Sequence, residues 1–179
     1  MVSDIRWPGD WLRGVLELCV LGALAEFLPV VDGVAVVSIA RGPDLDLARE
    51  PLAAVLGSLQ HSYDLVLLDP GRGGGAASRE ALRLASRSLL VVGGSVRGVA
   101  AAGQAVQAVA PPACELVLRR WPGAGVPDDV VEHVLGLPVR SRLRHDRRLV
   151  GAAERGERPS FSRRRGGLGR VCDDLLAAA

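Results

Sequence analysis

Lysine, asparagine and threonine are missing from all 179 residues, so every one of the 22 basic side chains is arginine. Without lysine there is no Schiff-base chemistry. There is also no phosphate loop of the form G-x-x-x-x-G-K-[ST]. Aromatic residues make up only 3% of the chain, so a core must be built from valine, leucine and alanine. The three cysteines, Cys19, Cys114 and Cys172, lie far apart. Their spacing fits no metal site, and their odd number argues against a disulfide framework. A reducing cytoplasm is the expected compartment. The opening MVSDIRWPGDW lacks the basic-then-apolar pattern of a secretory leader.

Long uninterrupted apolar runs are lacking too. The most apolar stretch, 12–31, is broken by Arg13, Glu17, Glu26 and Pro29, which makes it a poor membrane span. It reads instead as a buried or partner-facing helix within a helical N-terminal segment, 1–33. What is present is 49% hydrophobic and 23% charged residues, the balance of one globular domain with a sizeable core. The net charge of +2 is too small to demand a polyanionic partner. Its distribution is uneven: residues 1–110 hold nine Arg against eleven acids, and residues 111–179 hold thirteen against nine.

From residue 34 onward, apolar runs alternate with helical patterns. Strands are expected at 34–39 (VAVVSI), 64–69 (DLVLLD), 88–93 (SLLVVG), 114–119 (CELVLR) and, more weakly, 138–143. Helices are expected at 47–60, 77–86, 98–109, about 128–135, 146–155 and 168–178, the last packing inward through Leu168, Val171, Leu175 and Leu176. Strands apolar throughout are covered on both faces. The expected fold is therefore α/β. Residues 34–179 should form one domain with an open, mostly parallel sheet of about five strands and helices on both faces. The stretch 156–167 (GERPSFSRRRGG) reads as a loop.

Ligands of such sheets bind beyond the carboxyl ends of the strands. The first end is Asp69-Pro70-Gly71-Arg72-Gly73-Gly74-Gly75. An acid there is placed to hold Mg²⁺ or its water shell beside a phosphate, and glycines allow close backbone approach. The plain alternative is a turn leading into the next helix. Gly71, Gly73 and Ala76 nominally fit G-x-G-x-x-A, but Pro70 is foreign to that fingerprint, and no acid closes the following strand. The second end carries Arg97 near a helix N-terminus, where anions are favoured. The third, Arg119-Arg120-Trp121, offers a base-stacking or phosphate-clamping group, or else a surface arginine pair beside a packed Trp121. The fourth holds Arg140, Arg142 and Arg144, with Arg147 and Arg148 following. Strand alternation would put the first three on one face. That stripe is either a nucleic-acid surface or a charged edge strand. His61, His133 and His145 are scattered, and no catalytic constellation emerges.

The order YDLVLLDPGRG, EALRLASRSLLVVGGSVRGVAAA, LVLRRWPGAG and LGLPVRSRLRHDRRLVGAAERGERP resembles the C-terminal two-thirds of the MinD/ParA superfamily, over about residues 30–178. SVRGVAAA, WPGAGVP and the close through Ala153, Gly156 and Pro159 resemble most its actinobacterial septum site-determining (Ssd) and CpaE-like branch. The resemblance implies a P-loop NTPase-like fold. It places Asp69 at the acid of the Walker B strand, with tentative Mg²⁺, and Pro70-Gly71 in the switch that follows. Arg120 takes the arginine of the family's Asn-Arg pair, and Asp146 the late Pro-x-Asp turn at the nucleotide. Arg119 stands where that pair has Asn, and Arg144 where the late turn has Pro. The lysine-bearing loop that loads ATP is absent.

The resemblance implies a septum site-determining, cell-division role as a pseudo-ATPase, with ATP and Mg²⁺ as doubtful cofactors. Its partners would be division or pilus-assembly proteins, with a homodimer left open. It would act in the cytoplasm or at the inner face of the membrane. Two other readings stay open: an active or split MinD-type ATPase of pilus assembly, and a ParA-like nucleic-acid binder using the arginines above together with Arg163, Arg164 and Arg165.

Overall fold

A computed structural model describes residues 24–37, 49–70, 75–123, 125–157 and 167–177. Gly71, Gly73 and Arg163 to Arg165 lie outside the described residues, as does most of the apolar stretch 12–31. The chain divides into two compact units, Met1–Leu84 and Ala85–Ala179.

The described part of the first unit includes a 3₁₀ turn, Leu24–Phe27. A two-stranded antiparallel hairpin follows, β1 (Val30–Val31) and β2 (Val34–Ala35). Asp32 (φ 54°) and Gly33 (φ 81°) form its turn. A two-residue loop with both positions left-handed matches the twist of paired strands, which is why Asp-Gly is favoured there. Among the described residues two helices follow, α1 (Arg49–Ser62) and α2 (Ala76–Leu84). Its core is Leu24, Leu56 and Leu59, flanked by Leu28, Leu52, Val55, Tyr63, Val66 and Leu84.

Two strand expectations are corrected here. The run 34–39 contributes only Val34–Ala35 among its described residues, in the antiparallel hairpin. The run 64–69 forms no strand at all, and Leu67 is 81% exposed. An apolar run becomes a strand only where a neighbouring backbone accepts its hydrogen bonds, and no ladder includes these residues.

The second unit matches the expected parallel α/β pattern. Its sheet has the order β3-β4-β5, all parallel. The strands are β3 (Ser88–Gly93), β4 (Cys114–Arg120) and β5 (Val139–Arg144). Between them run α3 (Val96–Val109) and α4 (Asp128–Leu135), and α5 (Arg147–Glu154) and α6 (Leu168–Leu176) follow. The core lies on one sheet face, where Val92, Leu116 and Leu118 meet Val99 and Ala102 of α3 and Val131 and Leu135 of α4. Each fully buried leucine of this kind contributes about 1.5–3 kcal/mol. Helix α6 packs against β5.

The caps explain the helix ends. Ser95 accepts from the Gly98 amide at 3.1 Å to open α3, and Asp146 accepts from the Arg148 amide at 2.9 Å to open α5. Such caps stabilise a helix by about 1 kcal/mol each. Gly136 (φ 64°) closes α4 in the left-handed conformation that glycine adopts at no steric cost.

A bulge corrects the arginine stripe. Leu116 pairs with Val139, but Val117 pairs with Ser141, so Arg140 is an extra residue in β5. The insertion resets the alternation of faces. Arg140 reaches the Asp174 carbonyl of α6 at 3.3 Å, while Arg142 binds Asp128 of α4.

Candidate functional site

Because β3, β4 and β5 are parallel and in register, their carboxyl ends open on one rim. Main-chain bonds join the three loops there. The Gly94 amide donates to the Arg119 carbonyl at 3.0 Å, the Val126 amide to the Gly94 carbonyl at 2.9 Å, and the His145 amide to the Arg120 carbonyl at 2.7 Å. The close approach needs glycine. A Cβ on Gly98 would lie 2.1 Å from the Gly93 carbonyl oxygen, and one on Gly125 would lie 3.0 Å from the Gly94 oxygen.

Arg120 fills the space these glycines leave. Its Nη1 would stand 3.2 Å from a Cβ on Gly94 and 3.0 Å from one on Gly125. Nη1 donates to the Val126 carbonyl at 2.6 Å, and Nη2 pairs with Asp128 Oδ1. The other carboxylate oxygen of Asp128 takes Arg142 Nε. Asp128 is the first residue of α4, where a negative charge complements the helix dipole. One carboxylate thus draws together the ends of β4 and β5 and the start of α4. Arg120 is a three-quarters-buried clamp whose donors are turned inward.

Beside the clamp stands an aromatic stack. The Trp121 and His145 rings lie 4.2 Å apart at 24°, and the Arg119 guanidinium sits 4.7 Å over the indole. Trp121 is 52% exposed, so the stack borders solvent. Each of the two rings belongs to the residue just beyond its strand, and the register of β4 on β5 places them side by side.

Of the residues singled out from sequence, Arg119, Arg120 and Asp146 meet on this rim, and Arg97 is exposed in the first turn of α3. Asp146 serves as the α5 cap. Asp69 and Pro70 belong to the first unit. Asp69 is exposed on the irregular segment, and the Pro70 carbonyl accepts from Ser78 Oγ at 2.9 Å. Three contributors escaped sequence reading. Asp128 carries the signal of an acid directly after Pro127 at a helix start. His145 and Gly125 carry none without the strand register.

Among the described residues no three His, Cys, Asp or Glu side chains gather into a metal site. Arg120 and Arg142 are paired with a carboxylate of the chain itself. The arrangement offers a planar stack and exposed cations, Arg97, Arg144 and Arg147.

Comparison with solved structures gives the fold its place. A ParA family ATPase from Chlorobium tepidum TLS superposes with a TM-score of 0.67 at 16% identity, over 79% of this chain and 63% of that one. The MinD cell division protein of Aquifex aeolicus superposes with a TM-score of 0.62 at 17% identity, over 74% of this chain and 61% of that one. The fold is that of the MinD and ParA proteins. The chain spans about three-fifths of the length of each. No family model matches the sequence, and no curated protein does. Among the described residues, no helix is long and apolar enough to cross a membrane.

Proposed function

We propose that this chain is a MinD/ParA-type module of septum placement that works by binding protein partners and not by turning over ATP. The observation that carries the reading is the Arg120–Asp128–Arg142 clamp. Phosphoryl transfer in P-loop proteins depends on backbone amides and a lysine that cradle the phosphates, and on cations aimed at developing charge. Here the chain has no lysine, and Arg120 and Arg142 share the Asp128 carboxylate of their own chain. Supporting the division role are the Ssd- and CpaE-like motifs, SVRGVAAA and WPGAGVP, and the shared fold. On this reading the rim presents a fixed surface to division proteins at the cytoplasmic side of the membrane.

The experiment is isothermal titration of the purified chain with ATP and ADP in the presence of Mg²⁺. The expected result is no heat of binding up to about millimolar nucleotide, a limit of roughly −4 kcal/mol. Micromolar binding, with hydrolysis that Asp69→Ala abolishes, would overturn the proposal.

A further inference from the structure

The rim is more positive than the chain it belongs to. Its segments 94–97, 119–129 and 142–148 hold seven arginines against three acids, Asp128, Asp129 and Asp146. The whole chain sets 22 basic residues against 20 acids, so the remainder is slightly acidic. Two of the three rim acids are committed within the fold: Asp128 holds Arg120 and Arg142, and Asp146 caps α5. Arg97, Arg144, Arg147 and Arg148 are exposed. On the same segments two apolar side chains are open to water, Trp121 at 52% and Val96 at 76%. We propose that the rim docks an acidic, extended peptide segment of a partner protein. Its carboxylates would lie on the exposed arginines and an apolar side chain against Trp121. This rests on the partner-binding reading above and gives the partner its chemistry.

The geometry of the indole separates a peptide from a nucleic acid. The His145 ring is stacked on it with centroids 4.2 Å apart at 24°, and so covers one face. A guanidinium 4.7 Å from the indole centroid has no room on that face, so Arg119 covers the other. Single-stranded nucleic acids draw much of their affinity from bases stacked on open aromatic faces. Here both faces are taken by groups of the chain itself. What Trp121 presents to water is its edge, which suits a side chain lying alongside it.

The same features make the rim suited to a protein. Tryptophan and arginine are the side chains that most often dominate protein–protein binding energy. Trp121 is held between its two neighbours before a partner arrives, so binding costs it little rotamer freedom. Main-chain bonds join the loops that carry these groups, which fixes the spacing of the cations as well. Arginine meets a carboxylate with two parallel N–H donors, a match of geometry and of charge. A rim of this sign speeds the approach of acidic segments and turns basic ones away.

The test is fluorescence anisotropy with the full chain at about 0.15 M salt, where charges more than about 8 Å apart are largely screened. The probes are a labelled twelve-residue peptide of Glu, Ser and Leu with half its residues Glu, the same peptide with Gln for every Glu, and a labelled oligothymidylate of twelve nucleotides. The acidic peptide is expected to bind in the micromolar range, and the other two at least about tenfold more weakly. Arg144→Glu with Arg147→Glu should weaken it about tenfold or more, and Trp121→Ala about fivefold or more. Arg155→Glu with Arg170→Glu makes the same change of charge outside the rim and should hold affinity within about twofold. No binding of the acidic peptide, equal losses from the two arginine pairs, or unchanged affinity in Trp121→Ala overturns the proposal. Oligothymidylate binding as tight as the peptide's also overturns it and makes the rim a nucleic-acid surface. Amide NMR of the unsubstituted chain needs no variant: peptide-induced shifts should gather in the three rim segments, and shifts gathered elsewhere overturn the assignment. Failure here without nucleotide binding leaves the partner-binding reading standing, whereas micromolar ATP binding removes that reading whatever the peptide does.

Discussion

The α carbon of Gly98 faces the carbonyl of Gly93 so closely that a Cβ would sit 2.1 Å from the oxygen. The first turn of α3 thus lies directly over the end of β3. In a helix, alanine is favoured over glycine by about 1 kcal/mol, but forcing a methyl into fixed backbone costs about 1–3 kcal/mol or more. The steric term wins because the Gly93 carbonyl oxygen is main chain and cannot swing away. Gly98→Ala is expected to lower the urea midpoint, while Gly103→Ala in the same helix, where a Cβ has 3.6 Å to Leu135, should leave it unchanged or raise it.

Asp128 holds two arginines of unequal burial. The Arg120 side chain is 25% exposed and Arg142 56% exposed. Removing the carboxylate strands the more buried partner, so Asp128→Ala should cost about 1–3 kcal/mol. Arg142→Ala removes an exposed contact and should cost less than about 1 kcal/mol. A double-mutant cycle in urea denaturation measures both, and equal losses for the two single variants would contradict the unequal roles.

Burial raises the Cys114 thiol above its ordinary range, and the neighbouring Glu115 charge adds to the shift, against a hydrogen bond from the Leu90 backbone. The thiol is neutral when protonated. A raised folded-state value therefore contributes stability that is complete below the unfolded value and is lost as pH rises through the folded one. Cys114 should react with a disulfide reagent more slowly in the folded chain than in urea, and folded stability should decline in the alkaline range. Cys114→Ser is expected to remove that alkaline decline.

Glu157 is shifted the other way. Its hydrogen bond with Arg155 holds the carboxyl below the ordinary glutamate range. The stability this lends is present above the unfolded value and is lost as pH falls through the lowered one. The pair is fully exposed to water, so the effect is read best by NMR. The Glu157 carboxyl should titrate below a model glutamate, and Arg155→Ala should bring it back.

In the second unit β3 and β4 were legible as short runs of Leu and Val and the helices by their apolar faces, while β5 (VRSRLR) gave a weaker signal. SLLVVG forms β3 at the expected residues, and α3 starts two residues earlier than expected because Ser95 caps it. DLVLLD is as rich in Leu and Val as SLLVVG yet forms no strand, since periodicity reports what a segment could bury and not whether a partner strand is beside it. The hairpin at Asp32-Gly33 was readable from its flanking valines and was hidden by reading VAVVSI as one long strand. At the site, Arg119 and Arg120 follow from strand-end logic, and Asp146 from the family resemblance. Their partners do not, because Asp128 and His145 reach the rim through tertiary register, and the bulge at Arg140 changes faces without any mark in the sequence.

The three main-chain bonds that join the loops of the rim have a consequence for how such a surface changes over time. Amides and carbonyls are common to all residues except proline's missing N–H, so the frame of this rim is written in atoms that most substitutions leave intact. Side chains on it can drift while the loops keep their places, so the outline of the ledge does not depend on the groups that stand on it.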